Sequence, residues 1–426
     1  MSTIYDSQGN ELVVNTDSIG IEPNIDDIPV VSITGTLPTG KAQGDVNVAI
    51  MYKSTTKTFT SYGTVKVQGD SSTSYPKKNF TLKLYSDVSR TVKNKMTFRN
   101  WDKARNKFVL KANWIDHSHA RNIVNARLWT QIVKSRSDYA TLPSALTNSH
   151  IAIDGFPVKV FNNGVYMGLY TWNLPKDSLY GLDDDVDSNA IVQGDSGIYS
   201  GSILWRASDM SDGKWSDETH DTMPTIIMNG FNALLNFVYT SSDSAFTTNF
   251  STYFDKQSII DQYIFLYAGC IVDNIGKNQT FFTYNGTYYY GGMYDMDGTW
   301  GLPPWNVESV GWKSASTAFQ SGYTAVAESG GTTNLLYERL GTLFANDIKT
   351  RYQTLRLSVL SEDNINSEFE RFMSTIPPHV YEEDNASTTG GGAFTGIPLF
   401  STNNIQQIRQ FVIDRLAYVD SQLITS

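Results

Sequence analysis

The sequence predicts an α+β fold in two lobes, a strand-rich first lobe and a helical second one. Three observations carry that expectation. Residues 27–175 repeatedly alternate apolar and polar side chains, the period of a strand with one buried face. Residues 176–426 change to apolar residues at helical spacing. The chain has 426 residues, more than one compact core ordinarily holds together, so two parts are expected.

Residues 1–26 read as a polar arm with the turn Ser7-Gln8-Gly9-Asn10, able either to dock on a partner or simply to fray. In the first lobe, residues 28–33, 45–52, 64–67 and 80–84 read as strands. A helix is expected over 118–133, with Ile123, Val124, Leu128 and Ile132 on its apolar side. The runs 157–161 and 165–172 flank Asn163-Gly164, a strong hairpin signal. In the second lobe, helical spacing covers 223–240, 256–271, 334–343, 345–360, 367–376 and 404–424. Strands at 281–284 and 287–294 interrupt it around Asn285-Gly286, and 388–395, with three consecutive glycines, reads as a flexible loop. Residues 35–42 nearly match a phosphate-binding P-loop. However, Ala42 lacks the metal-binding hydroxyl and strand residues follow where a helix must start, so a hairpin turn is expected.

Composition narrows the function. A 40% hydrophobic share with 13% aromatics fills a large core, which excludes a disordered chain. A net charge of -10 argues against a nonspecific nucleic-acid surface, which needs clustered Lys and Arg. Asp183-Asp184-Asp185 is the densest acidic spot and reads as a solvated loop, with a calcium site as the alternative. Cys270 is the one cysteine, so an internal disulfide framework is impossible; it lies in the apolar run 264–272 and is expected to be buried. His117 and His119 are two apart rather than the four of a helical zinc site, and no CxxC pair exists. The N-terminus has no apolar signal-peptide region, and no run of about 18 apolar residues could cross a membrane. A soluble protein is expected, reaching the exterior by lysis or by assembly into a particle.

Three segments carry chemistry. Asp273 and Asn278, directly after an expected apolar helix, give the D-x-x-x-x-N spacing of kinase catalytic loops, where Asp orients or accepts a hydroxyl proton and Asn holds a metal ion. Asp and Asn also cap turns, which is the plainer reading. Asp295 and Asp297, two apart at an expected strand end, can present both carboxylates on one face. Such a pair repels unless a cation or proton sits between, and magnesium suits it; a pair of turn-forming aspartates before Gly298 is the alternative. The loop from Gln68 to Phe80 offers backbone N–H groups, the hydroxyls of Ser71 and Ser72, and Lys77-Lys78, all suited to phosphate. An ordinary polar hairpin loop has the same composition.

This loop resembles the R-G-N-S-S-x-x-Y-P-K-K signature of the CotH family, the spore-coat kinase-like proteins. Phe108 to Asp116 followed by Arg121-Asn122, Val160 to Tyr170, Asp273 to Asn278, Asp295-Met296-Asp297 and Arg415 to Leu423 resemble its further segments in the same order. The likeness runs from about residue 28 to 424. Gln68 stands where the family has Arg, Asp70 where it has Asn, and Tyr294 where it has Trp. A carboxylate in a phosphate loop is electrostatically unfavourable unless it reaches a metal, so Asp70 bears on nucleotide affinity. The Q-G-x-S-S-x-x-Y-P-K-K form is similar to CotH-like proteins of bacteriophage tail and baseplate gene clusters.

The resemblance implies a two-lobed, atypical protein-kinase-like fold, with a strand-rich lobe over 27–175 and a helical lobe over 176–426. It implies ATP with Mg or Mn, and transfer of phosphate to a Ser or Thr of a protein. Asp273 would be the catalytic residue, Asn278, Asp295 and Asp297 the metal ligands, and Ser71, Ser72, Lys78, Lys83 and Lys111 the nucleotide-binding groups. The alternatives it leaves are a purely structural tail or baseplate protein with an inactive kinase-like fold, or a spore-coat-type kinase. The partners implied are the other proteins of an assembled particle or a protein substrate, in an oligomeric assembly, with neither nucleic acid nor membrane insertion. The setting implied is a virion, otherwise the cytoplasm or a spore coat.

Overall fold

The period-two alternation of the first half becomes seven strands: β1 (Val30–Thr34), β2 (Val46–Lys53), β3 (Thr58–Gln68), β4 (Asn79–Tyr85), β5 (Lys107–Lys111), β6 (Gly155–Asn162) and β7 (Val165–Asn173). They close into a barrel in the order β1-β2-β3-β4-β5-β7-β6. Closure falls to β1, which pairs antiparallel with β2 and parallel with β6, Val30 lying opposite Lys53 and Lys159. The inward positions are alternate residues, as barrel geometry requires: Val31 and Ile33, Val48 and Ile50, Val65 and Val67, Leu82 and Leu84, Phe108 and Leu110, Val158 and Val160, Tyr170 and Trp172 share one buried cluster. The β6–β7 turn has φ of 48° at Asn163 and 80° at Gly164, the doubly left-handed conformation that the Asn-Gly pair favours. Lys41–Gln43 form a single 3-10 turn between β1 and β2, so the P-loop look-alike starts no helix.

The computed structural model describes residues 4–5, 11–12, 28–194, 205, 213–303, 313–317, 334–388 and 403–424. Of the expected arm it describes only the antiparallel pairing of Ile4–Tyr5 with Glu11–Leu12, and residues 389–395 of the glycine-rich loop lie outside the described residues. The helices are α1 (Arg121–Lys134), α2 (Thr225–Thr240), α3 (Asp243–Tyr253), α4 (Lys256–Ala268), α5 (Leu335–Leu343), α6 (Ala345–Arg356), α7 (Glu362–Met373), α8 (Pro378–Thr388) and α9 (Asn403–Leu423). A second, antiparallel sheet has the order β9-β8-β10-β11, from β8 (Ala190–Gly194), β9 (Trp215–Asp217), β10 (Thr280–Thr283) and β11 (Tyr289–Gly292). None of the helices is long and apolar enough to cross a membrane among the described residues.

Boundaries moved where backbone conformation decides them. The first helix begins at Arg121 rather than 118 because His119 is left-handed, with φ of 56°. Helix α4 stops at Ala268, short of 271, because Gly269 caps it and Cys270 is left-handed at φ 52°. Cys270 is buried, as its apolar setting led one to expect. Helices α3 and α8 and strands β8 and β9 carry too few periodic apolar residues to announce themselves.

The contacts divide the chain into two compact units. One comprises Met1–Ala120, Asp154–Pro175 and Glu370–Thr402; the other comprises Arg121–Ile153, Lys176–Phe369 and Asn403–Ser426. A single cut at residue 175 therefore does not describe the organisation, since the segment with α1 leaves the strand-rich part and the segment with α8 joins it.

Within the first unit, Asp384 of α8 is held by three groups. Lys77 Nζ lies 2.8 Å from Oδ1, the backbone N–H of Leu169 donates to the same oxygen at 2.6 Å, and His119 Nε2 lies 3.0 Å from Oδ2. Gly168 supplies the space: a Cβ there would sit 2.5 Å from Asp384 Oδ1, and its φ of 119° already excludes ordinary side chains. Lys77, His119 and Asp384 are all buried. Burial opposes the charge on Asp384, but Lys77 and His119 outweigh it and hold its carboxyl well below the usual range. Replacing Asp384 by Ala strands the Lys77 ammonium in the interior, and at pH 7 this should lower the unfolding free energy by about 3–5 kcal/mol. Because the folded-state value is depressed, the contribution is fully present above the ordinary carboxylate range. It is lost as pH falls below about 4. Urea denaturation of both proteins across pH should show the gap narrowing on the acid side.

Candidate functional site

The site lies in the second unit, at one end of the β10–β11 hairpin. Thr280 pairs with Gly292 at that end, so the residues preceding β10 and those following β11 are brought together. After α4 the chain makes a short 3-10 turn, Asp273–Ile275. The backbone N–H of Asn278 then donates to Asp273 O at 3.3 Å, and its Nδ2 donates to Asp273 Oδ2 at 2.6 Å. The D-x-x-x-x-N spacing is thus a closed loop whose two ends touch. Asn274 Nδ2 donates to Tyr294 O at 2.5 Å and fastens this loop to the strand exit.

The Asp295–Asp297 segment departs from strand geometry. β11 ends at Gly292, and Asp295 is left-handed with φ of 55°. The expectation that a two-residue step puts both carboxylates on one face belongs to an extended strand and does not apply here. Side chains of α1 hold the segment. Asn122 Oδ1 accepts from Met296 N at 3.1 Å. Asn125 Nδ2 donates to Met296 O at 3.0 Å and to Thr299 Oγ1 at 2.7 Å, while its Oδ1 accepts from Trp300 Nε1 at 2.7 Å. Arg121 Nε donates to Thr299 O at 2.9 Å.

Asp273, Asp295 and Asp297 are half-buried and Asn278 is buried. Among the described residues, the one set of three acidic or metal-binding side chains with ligand atoms within 4.8 Å of one another is Asp183, Asp184 and Asp185, all exposed. Asp273, Asp295 and Asp297 therefore do not form a closed three-carboxylate cage. The donor set still fits a hard cation: carboxylates, the Asn278 amide oxygen, and Asn274 Oδ1, a buried acceptor with no hydrogen-bond partner among the described residues.

Three residues at this site carry no sequence motif. Lys176 Nζ lies 2.5 Å from Glu218 Oε2, donates to Gln193 Oε1 at 2.9 Å, and sits 4.8 Å from the centre of the Tyr294 ring. Gln193 Nε2 in turn donates to Asn278 Oδ1 at 3.4 Å. Burial pulls the Lys176 ammonium below the ordinary amine range, opposed by the charges of Glu218 and Asp295. Burial pushes Glu218 the other way, but Lys176 and the Ser216 hydroxyl together bring its carboxyl down. The one signal that could have found this group is Gln193, a polar residue at the end of the apolar run Ala190-Ile191-Val192.

The Gly/Ser-rich loop belongs to the first unit. Ser71–Ser74 form a 3-10 turn. Lys78 Nζ donates to the carbonyls of Thr73 at 2.7 Å and Tyr75 at 2.5 Å, which clasps the loop from inside. Ser72 Oγ accepts from Asn79 Nδ2 at 3.2 Å, so close to Gly69 that any Cβ there would overlap it. Lys83 pairs with Asp45 at 3.1 Å on a partly exposed strand, and Lys111 ends β5, half-buried.

The family described as CotH kinase protein matches residues 65–419, most of the chain. No curated protein matches it.

Asn125 is fully buried and satisfies three partners, so Asn125→Ala should cost about 2–4 kcal/mol through the stranded Trp300 and Met296 groups. Chemical denaturation reads the loss. Asn125→Asp should be nearly as damaging, because it removes both donors while keeping the shape.

Proposed function

Since the chain belongs to the CotH kinase protein family, we propose that it is a phosphotransferase that passes a phosphoryl group from ATP to a Ser or Thr hydroxyl of a protein. The observation that carries this reading is the hairpin end that joins the Asp273–Asn278 loop to the Asp295–Asp297 segment. In this reading Asp273 orients the incoming hydroxyl and accepts its proton. The hydroxyl oxygen gains the new bond to phosphorus, and the bond to the departing diphosphate oxygen breaks. The Asn278 amide, 2.6 Å from Asp273 Oδ2, fixes the direction of that carboxylate. Asn278, Asp295 and Asp297 would hold magnesium or manganese, which when bound neutralises charge developing on the phosphate oxygens. The two-lobed kinase layout, with the Ser71–Lys78 loop serving the nucleotide, is part of the same proposal.

One observation favours a second reading. The loop carries Asp70 and Gln68, and Lys78 is occupied by the loop's own carbonyls. That supports a kinase-like fold kept as a building block of a bacteriophage tail or baseplate, assembled with other virion proteins. The two readings separate by activity. Wild-type protein with labelled ATP and millimolar magnesium should transfer label to itself or to a particle component. Asp273→Asn should slow transfer about 10²- to 10⁴-fold, the usual worth of a positioned base, and Asp297→Ala should abolish it. Magnesium and ATP at a hundredfold excess over Kd should stabilise the fold by roughly 2–3 kcal/mol. A wild-type protein that transfers no label to any component leaves the building-block reading.

A further inference from the structure

We infer that Lys176 forms a phosphate subsite of this centre, binding the anionic chain of the nucleotide, with Glu218 holding the ammonium in place. The inference rests on the phosphotransferase reading above and names the cation that reading needs.

A site of half-buried carboxylates repels a polyphosphate, and magnesium alone does not remove the problem because several phosphate oxygens remain charged. A protein cation close to the acidic groups is required. Two sequence candidates are engaged elsewhere: Lys78 by the carbonyls of Thr73 and Tyr75, Lys83 by Asp45. Lys176 is different. It belongs to the same unit as Asp273, Asn278, Asp295 and Asp297. It interacts electrostatically with Asp295 and stands over the ring of Tyr294, the residue before Asp295. Through Gln193 it is joined to Asn278 in one hydrogen-bonded chain.

The geometry leaves a place for a ligand. An ammonium has three N–H donors. Glu218 and Gln193 take two, and among the described residues the third has no partner. The Lys176 side chain retains 15% exposure, so that donor can be reached. Its flexible stem is held on both sides, which removes much of the entropy that a free surface lysine loses on binding an anion. A lysine present only to neutralise Glu218 would need neither Gln193 nor the position beside Asp295.

Calorimetric titration with ATP, ADP and adenosine, each with magnesium, tests the inference. Lys176→Met should weaken ATP about tenfold or more, the worth of a hydrogen bond to a charged group, and should leave adenosine unchanged. Glu218→Gln frees the ammonium from its carboxylate and should raise the preference for ATP over adenosine. The second variant keeps the question decidable if the first does not fold. Equal ATP affinity in wild type and Lys176→Met, or an unchanged ATP-to-adenosine ratio in Glu218→Gln, overturns the subsite. Wild-type protein that binds none of the three overturns the phosphotransferase reading itself, and the subsite with it.

Discussion

The pairing of Thr280 with Gly292 is the constraint on which the candidate site depends. Strand register is all-or-none: a shift of one residue would turn every side chain of β10 and β11 to the opposite face. The register is fixed by the Asn285-Gly286 turn and by full burial of Phe281 and Tyr289. Helix α4, buried from Ser258 to Ala268, lies behind it and explains its own lack of amphipathic pattern. With the hairpin set, Asn278 and Tyr294 have nowhere else to be. The Asp273 loop closes on one side, and the asparagines of α1 catch the 295–300 turn on the other.

This division of labour explains what could be read from residues alone. The barrel strands were legible because each buries alternate side chains. The hairpins were legible because Asn-Gly turns advertise themselves. Closure into a barrel was not legible, since β1 meets β6 across more than a hundred residues and nothing local records it. The Asp273–Asn278 loop and the Asp295–Asp297 segment could be picked out as motifs. The conformation of the second could not, because Asp295 is left-handed and the residues after it are held by asparagines of α1 more than 160 residues away in sequence. Lys176 and Glu218 escaped notice altogether, as single charges in unremarkable loops whose meaning exists only once Gln193 and Tyr294 stand beside them.

Buried polar groups position segments in both units. In the first, one carboxylate gathers Lys77, His119 and the Leu169 amide. In the second, Arg136 binds Asp138 and Asp255 at 2.7 Å each, and Arg351 binds the fully buried Asp261 at 2.7 Å. Such pairs add little net stability over apolar packing of the same volume, but breaking one is costly, so they penalise wrong arrangements more than they reward right ones. Sites that must hold several like charges close together benefit from a frame of that kind.

The Lys77–Asp384 pair spans 307 residues of sequence. At a synthesis rate of about 5–20 residues per second, Lys77 leaves the ribosome roughly 15–60 s before its counter-ion, and the last barrel strand roughly 10–40 s before it. During that interval the barrel must either stay open or enclose an unpaired ammonium. The first unit is thus completed only after residues 176–369 of the second have been made, although it begins first. Stalled nascent chains ending before residue 378 should remain protease-sensitive in the barrel and become resistant once residue 388 has emerged; early resistance would show that the barrel closes without its ion pair.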